Sequence, residues 1–169
     1  MTFATSWATW NHRAKDASLV PMRLALGSAM LYHGTSKLRG EGTAHTAQMF
    51  EKLELSPPKK LALATGLAET FAGAAAVLGI ATRPAALVVL VTQAVAVARV
   101  HAPKGFDVMK GGMEYNLALM AIAAGLLLAG PGRVSAHEAL EPAVEGGGRK
   151  RLWRRARPTR LSRAVRLLR

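Results

Sequence analysis

Two long apolar runs dominate the pattern of hydrophobic and polar positions along the chain. Residues 61–82 form a run of 22 with a single charged residue, Glu69, and residues 115–132 form an uncharged run of 18. A membrane-spanning helix needs about 20 predominantly apolar residues. The pattern therefore predicts helices in lipid. It also singles out Glu69, because a carboxylate inside such a helix is costly and usually has a function.

Shorter apolar segments complete a set of four predicted helices. The uncharged stretch 24–36 is too short to span by itself, so we expect Arg23 and Lys37 to extend along their methylene stems to the two interfaces. Segment 39–60 is predicted to be a loop, since Pro57 and Pro58 stop any helix that arrives there. The predicted fold is all-α: a four-helix transmembrane bundle, up-down-up-down, with a basic C-terminal tail. The helices are expected at about 18–38, 61–80, 84–100 and 113–129.

Composition restricts the chemistry that this chain can perform alone. Its apolar content is mainly Ala, Leu and Val, aromatic residues make up only 5%, and there is no cysteine. The absence of cysteine excludes disulfides, thiolate nucleophiles and cysteine-ligated iron–sulfur clusters. No predicted helix carries two ligand-type residues at metal-binding spacing, so no metal site is predicted. A redox role would therefore depend on a partner or on a bound cofactor.

The strong positive charge belongs to the C-terminal end of the chain. Of the net charge of +13, residues 149–169 contribute ten, which leaves +3 for the first 148 residues. Arginines there recur every third residue opposite apolar positions, a pattern typical of a basic helix on anionic lipid. An unstructured tail that only sets topology is the alternative, and nucleic acid is not expected as a partner, since only Trp153 is available to stack on a base. The predicted lipid-surface residues are Arg160, Arg163, Arg166 and Arg169.

We divide the chain into three segments. Residues 1–17 form an interfacial leader, 18–135 the transmembrane domain, and 136–169 a basic cytoplasmic tail. Lys and Arg are most numerous on the side of the tail, which predicts that both termini are cytoplasmic and that Arg83 stabilises the inner turn. This orientation depends on the tail, because without it the count is five cations against eight on the opposite side.

Several ordered motifs resemble the DoxX family of small bacterial and archaeal membrane proteins. After Arg23 they read LALGSAMLYHGTSKL, GLAETFAGAAAVLGIATRPAAL, GGMEYNLALM and GPGRVS, and they extend to Ser135. The resemblance implies a four-helix integral protein of a bacterial inner membrane. Some members resemble or form the small subunit of a thiosulfate:quinone oxidoreductase, and others are associated with membrane complexes that handle oxidative stress. His137 stands where the closing motif of the family leads us to expect an acidic residue.

Ionisable residues are predicted to converge on one half of this bundle. His33 and Lys37 are four residues apart and therefore share a helix face. Glu69 lies about 12 Å along its helix from Leu61, at a rise of about 1.5 Å per residue. The predicted intramembrane polar site comprises His33, Lys37, Glu69, Arg99 and Glu114.

This convergence has two interpretations. In the structural one, Lys37 or Arg99 pairs with Glu114, and Glu69 is neutralised by Arg99 or by a proton, so that the groups hold the helices in register. In the functional one, the groups line a cavity for a quinone head group or a small anion, with His33 and Glu69 exchanging protons.

The resulting hypothesis is a small accessory or quinone-interacting subunit of a membrane oxidoreductase. Quinone is then the expected cofactor, with no covalently bound group, and an oxidoreductase subunit is the expected partner. The alternative is a non-catalytic membrane scaffold or small-solute carrier, and a soluble four-helix bundle is a third hypothesis because the first and third spans are marginal.

Overall fold

The computed structural model describes residues 3–145, and within that range the chain is helical and contains no strand. This confirms the all-α class. A π-helical turn, Val97–His101, and two 3-10 turns, Ala102–Lys104 and Val108–Lys110, lie between the fourth and fifth α-helices. The α-helices of the described range are α1 Phe3–Leu38, α2 Gly40–Lys52, α3 Pro58–Leu78, α4 Thr82–Ala96, α5 Glu114–Ala129 and α6 Ala136–Glu145.

The two apolar runs that dominate the sequence correspond to α3 and α5. Pro58 occupies the first turn of α3, where a missing N–H costs nothing. The helix ends at Gly79, which adopts a left-handed conformation with φ of 69° and caps the carbonyls of Ala75 and Ala76. Residues 79–81 then form the short turn into α4.

Three segments differ from the predicted bounds. Helix α1 begins at Phe3 and continues through Pro21, so the backbone of residues 3–17 is continuous with the first predicted span. Segment 39–60, expected to be a loop, contains α2, whose Thr43 and Thr46 are buried. Helix α6 lies in the segment assigned to the tail. Residues 146–169, and with them the four lipid-surface arginines, lie outside the described residues.

The packing of the helices relies on small side chains. Helix α1 packs along α3, α3 contacts α4, and α4 contacts α5, while α2 lies against α1 and α3. Alanine supplies half of the main buried cluster, which lets helix axes approach closely. This cluster comprises Leu26, Met30, Ala72, Ala75, Ala85, Ala86, Val89, Leu119, Ala123 and Leu126.

Glycine allows the closest approach, which is between α1 and α3. A Cβ atom placed on Gly73 would lie 2.6 Å from the backbone nitrogen of Leu31 and 2.8 Å from the carbonyl oxygen of Gly27. Seven residues away on each helix, Gly34 faces Gly66 and Thr70 in the same manner. Small residues recur every fourth position in the sequence of α3, at Ala62, Gly66, Thr70 and Ala74. Gly66 and Thr70 lie in the contact with α1, which continues through Gly73.

Two helices of the described range are long and apolar enough to cross a membrane. They are Pro58–Leu78 and Thr82–Lys104, the latter including the turns that continue α4. Only 39% and 22% of the most apolar 18-residue window in each is buried within the protein. Large apolar side chains such as Leu67, Phe71 and Val91 are more than half exposed. The outer surface of these helices is therefore suited to a hydrocarbon environment.

Candidate functional site

The charged residue that the sequence singled out, Glu69, forms an ion pair with Lys37. Lys37 Nζ donates to Glu69 Oε2 over 2.6 Å, and the two side chains are 21% and 6% exposed. The bridge joins α1 to α3 just beside the close contact between Gly34 and Gly66. Two predictions are therefore wrong: Lys37 does not extend to an interface, and Glu69 is not neutralised by Arg99.

His33 lies one turn before Lys37 on α1, and its imidazole lies near two aromatic rings. The ring centroids of Tyr32 and Tyr115 lie 5.5 and 6.1 Å away. The Lys37 ammonium also makes a long contact of 3.5 Å with the His33 carbonyl oxygen. The predicted face shared by His33 and Lys37 is thus formed, with both residues beside Glu69.

A buried amide pair lies in the same region. Asn116 Nδ2 donates to Gln93 Oε1 over 2.7 Å, and Gln93 Nε2 is 3.8 Å from Met30 Sδ. Both amides are more than nine-tenths buried. Sequence reasoning missed this pair, although the signal that revealed Glu69 was present, since Gln93 and Asn116 are also isolated polar residues in apolar runs.

These polar groups line a cavity of about 610 Å³. Its walls come from α1, α3, α4 and α5, and it is closed on one side by α2 and residues 53–55. Most of the lining is apolar, including Phe50, Val91 and Val95. The result is an apolar chamber with a small number of convergent polar groups, which is the usual composition of a small-molecule site.

Arg99 and His101 lie in the lining, at the end of α4. The π-helical turn Val97–His101 presents Arg99, Val100 and His101 in succession to the cavity. Arg99 Nη2 donates to the carbonyl of Leu53 over 2.8 Å, and so connects the end of α4 to the segment after α2. His101 Nδ1 is 2.8 Å from the carbonyl oxygen of Gly111. Arg99 is therefore near the predicted site but bonds to backbone.

Glu114 is the predicted residue that the structure leaves out of the cavity. It is the first residue of α5, and the lining continues instead with its neighbours Tyr115 and Asn116. Within the described part of the chain it forms no ion pair with Lys37 or Arg99, so that predicted pairing is wrong. Its carboxylate stabilises the positive end of the α5 dipole.

Arginine side chains bind helix ends on the opposite half of the molecule. Arg23 is 4% exposed and donates to the carbonyls of Ala76, Val77, Pro131 and Val134 at 2.6–3.2 Å. Its expected extension to an interface is therefore wrong.

Arg83, predicted to stabilise the inner turn, donates to the carbonyls of Leu127 and Leu128 near the end of α5. Cations at the C-terminal ends of helices satisfy free carbonyls and complement the helix dipole.

The helices that build most of this site fall within a match to a known protein family. The model of the DoxX family matches residues 18–102, which is half of the chain. The chain belongs to the DoxX family. No curated protein and no solved structure matches it. DoxX membership and the two apolar helices together indicate a membrane protein.

The DoxX match contains most of the polar side chains of the cavity. His33, Lys37, Glu69, Gln93 and Arg99 lie inside it. The wall formed by Tyr115 and Asn116 lies beyond it, as do the motifs GGMEYNLALM and GPGRVS on which the wider resemblance was based.

Metal binding has no support in the described residues of this DoxX protein. Among the side chains that the structure describes there is no group of three or more His, Asp or Glu arranged to hold a metal ion. The polar groups that line the cavity include two cations, a carboxylate, two imidazoles and two amides. Such a set suits hydrogen bonding to an organic ligand.

Proposed function

We propose that the cavity binds the head group of a membrane quinone, and that the protein is a small accessory or quinone-interacting subunit of an oxidoreductase in a bacterial inner membrane. The observation that carries this proposal is the Lys37–Glu69 ion pair at the wall of a mainly apolar cavity of about 610 Å³. A cavity of this size falls within the range of small-molecule sites.

The chemistry of a quinone agrees with the lining. Its ring is flat and apolar, and its carbonyl oxygens accept hydrogen bonds. Lys37 offers an ammonium with three N–H groups, while Val91, Val95 and Phe50 offer apolar surface for the ring. Val91 and Val95 are also about half exposed, so the cavity borders the apolar outer surface of α4. An isoprenoid tail would leave the cavity along that border.

In the proposed role the electrons come from a second protein. The chain has no cysteine with which to ligate an iron–sulfur cluster or form a redox-active disulfide. In the proposed role this chain positions the quinone, its polar groups exchange protons with it, and a partner subunit supplies the electrons.

We further propose that α1, α3, α4 and α5 cross the membrane in alternating directions with both termini cytoplasmic. The short turn between α3 and α4 supports this arrangement, because two helices joined by three residues must run back along each other. The arginine-rich segment would then lie at the cytoplasmic leaflet, where each cation near anionic lipid contributes about 1 kcal/mol.

Quinone titration of the purified protein in lipid nanodiscs tests the proposal. The wild-type protein should bind a short-chain benzoquinone saturably by calorimetry. Combined replacement Lys37→Met and Glu69→Gln removes the ion pair without leaving an unpaired charge, and it should weaken binding by about tenfold or more. Lys59→Met is the matched control, since Lys59 is exposed on the first turn of α3 and lies outside the cavity.

The proposed function fails if the wild-type protein shows no saturable binding, or if the paired variant binds as tightly as the wild type while keeping its helical content. Circular dichroism and the thermal unfolding midpoint of each variant establish whether it is folded.

A non-catalytic scaffold is the second candidate, and one observation favours it. The Lys37–Glu69 pair bridges α1 and α3 beside their glycine contact, so it holds the register of the two helices whether or not a ligand is present. A scaffold would show an unfolding midpoint that depends on the pair and no quinone binding in the wild type.

A further inference from the structure

Several hydrogen-bond donors near Glu69 already have acceptors inside the protein. Asn116 Nδ2 is directed at Gln93 Oε1, and Gln93 Nε2 at Met30 Sδ. Lys37 Nζ makes its short bond to Glu69 and a long contact with the His33 carbonyl, which leaves one of its three N–H groups for a ligand.

The Glu69 carboxylate, in contrast, keeps an acceptor free. Only its Oε2 atom is bonded to Lys37, and Oε1 makes no hydrogen bond within the described part of the chain. Glu69 lines the cavity, and its Oε1 atom is accessible to solvent there. A carboxylate oxygen without a donor from the protein is a strong acceptor, and a ligand that displaces water from it must bring a donor to replace the lost hydrogen bond.

From this arrangement we infer that the cavity selects head groups that carry a hydroxyl, so that the reduced hydroquinone form binds more tightly than the quinone. The inference rests on the quinone site proposed above. A hydroxyl donates its hydrogen to Glu69 Oε1 while its oxygen accepts from Lys37 Nζ. A quinone carbonyl can only accept from Lys37, and its binding removes water from Glu69 Oε1 without replacing the lost hydrogen bond.

The size of the preference for a hydroxyl depends on the cost of leaving Glu69 Oε1 without a donor when a quinone binds. Leaving a buried charged acceptor without its donor is expected to lower affinity by roughly tenfold or more. The same argument applies to any phenol, because the discriminating contact involves the hydroxyl hydrogen and not the redox state of the ring.

Two ligand pairs test the preference in the full-length wild-type protein in nanodiscs. The first is a short-chain benzoquinone and its hydroquinone, measured anaerobically with dithionite present for the reduced form. The second is a redox-inert pair, a para-alkylphenol and its methyl ether. We expect the hydroxyl-bearing member of each pair to bind roughly tenfold more tightly or better.

The variant Glu69→Gln tests whether the Glu69 carboxylate causes the preference for a hydroxyl. Replacing the carboxylate by a neutral amide should bring both affinity ratios to within about threefold of one, because charge-assisted hydrogen bonds are about twice as strong as neutral ones. Val95→Ala is the matched cavity control: it removes apolar contact, so it should weaken both members of a pair equally and leave the ratio unchanged.

Each outcome supports or overturns a specific claim. Equal wild-type affinities within both pairs would overturn the hydroxyl preference while leaving quinone binding, and so the proposed function, intact. Absence of saturable binding by the quinone and its hydroquinone would overturn both. A ratio that persists in folded Glu69→Gln would overturn the assignment of Glu69 as the acceptor. The wild-type comparison requires no variant, so it decides the preference even where Glu69→Gln does not fold.

Discussion

At the scale of single residues, the buried charges of this protein are satisfied in two different ways. Glu69 and Lys37 neutralise one another across two helices. Arg23 instead has four backbone carbonyls as acceptors and lies among helix ends. A guanidinium is suited to this role because its N–H groups diverge in a plane and reach several carbonyls at once.

Replacing Arg23 by lysine tests this role. We expect Arg23→Lys to destabilise the folded protein by about 2–3 kcal/mol, since a single ammonium cannot satisfy carbonyls on α3 and on residues 131–134 together. Denaturant unfolding in detergent micelles, followed by circular dichroism, measures the change. Arg39→Lys is the control, because Arg39 is exposed, and it should change stability by less than about 0.5 kcal/mol. Equal stability of the two variants would show that the carbonyl contacts of Arg23 contribute little.

The sequence predicted which ionisable residues lie together, but it did not predict which of them bond to each other. An isolated charge in an apolar run is visible in the sequence, and His33, Lys37, Glu69 and Arg99 do lie together around one cavity. The partner of Glu69 depends on which helix face meets which, and the sequence does not contain that information. The amide pair was overlooked because neutral polar residues are less conspicuous than charges in an apolar run.

At the scale of helices, the glycine spacing sets the geometry of α1 and α3. Gly27 and Gly34 on α1, and Gly66 and Gly73 on α3, are each seven residues apart, which places each pair on one helix face. Backbone atoms of one helix then contact the other directly. Because the two helices approach so closely, Lys37 on α1 can form a short ion pair with Glu69 on α3.

Adding a methyl group at this contact should separate the helices. Gly73→Ala places a Cβ atom 2.6 Å from Leu31 N and 2.8 Å from Gly27 O, both of which are backbone atoms. We expect a loss of about 1–3 kcal/mol in unfolding free energy, because backbone cannot move aside as a side chain does.

Gly125→Ala is the matched control for this prediction. It is also inside an apolar helix, but its new Cβ atom would meet only the flexible end of Met22 at 3.0 Å. Its unfolding free energy should stay equal or rise by up to about 1 kcal/mol, since alanine favours helix over glycine. If both variants lost the same stability, the close contact between α1 and α3 would not be the cause of the loss, since Gly125 has no backbone neighbour of the other helices at its Cβ position.

At the scale of the whole molecule, polar and apolar surfaces are arranged for a membrane. The large exposed side chains of α3 and α4 are apolar, and the cavity lies toward one end of these helices while Arg23 and Arg83 bind helix ends at the other. Loops at the two ends should therefore face opposite sides of the bilayer in the arrangement that we propose.

The natural absence of cysteine makes this orientation directly measurable. A single Met109→Cys reports on the loop before α5, and a single Val134→Cys reports on the segment after it; both positions are well exposed. With both termini cytoplasmic, a membrane-impermeant maleimide should label Met109→Cys in intact cells and Val134→Cys only after permeabilisation. The reverse pattern would invert the orientation, and release of the protein by alkaline carbonate would establish a soluble bundle instead.

The sequence by itself determined the helical class, the positions of the apolar helices and the few ionisable residues that need a partner. It could do so because lipid demands long apolar runs, and any exception within them is conspicuous. The sequence did not predict α2 or the part of α1 before residue 18, because a polar segment can form either a helix or a loop. Only the tertiary structure decided that Lys37 pairs with Glu69, that Arg23 binds carbonyls, and that Gln93 and Asn116 complete the cavity wall. Those outcomes depend on distances of a few ångströms between helices, and the packing of small residues on facing helices sets these distances.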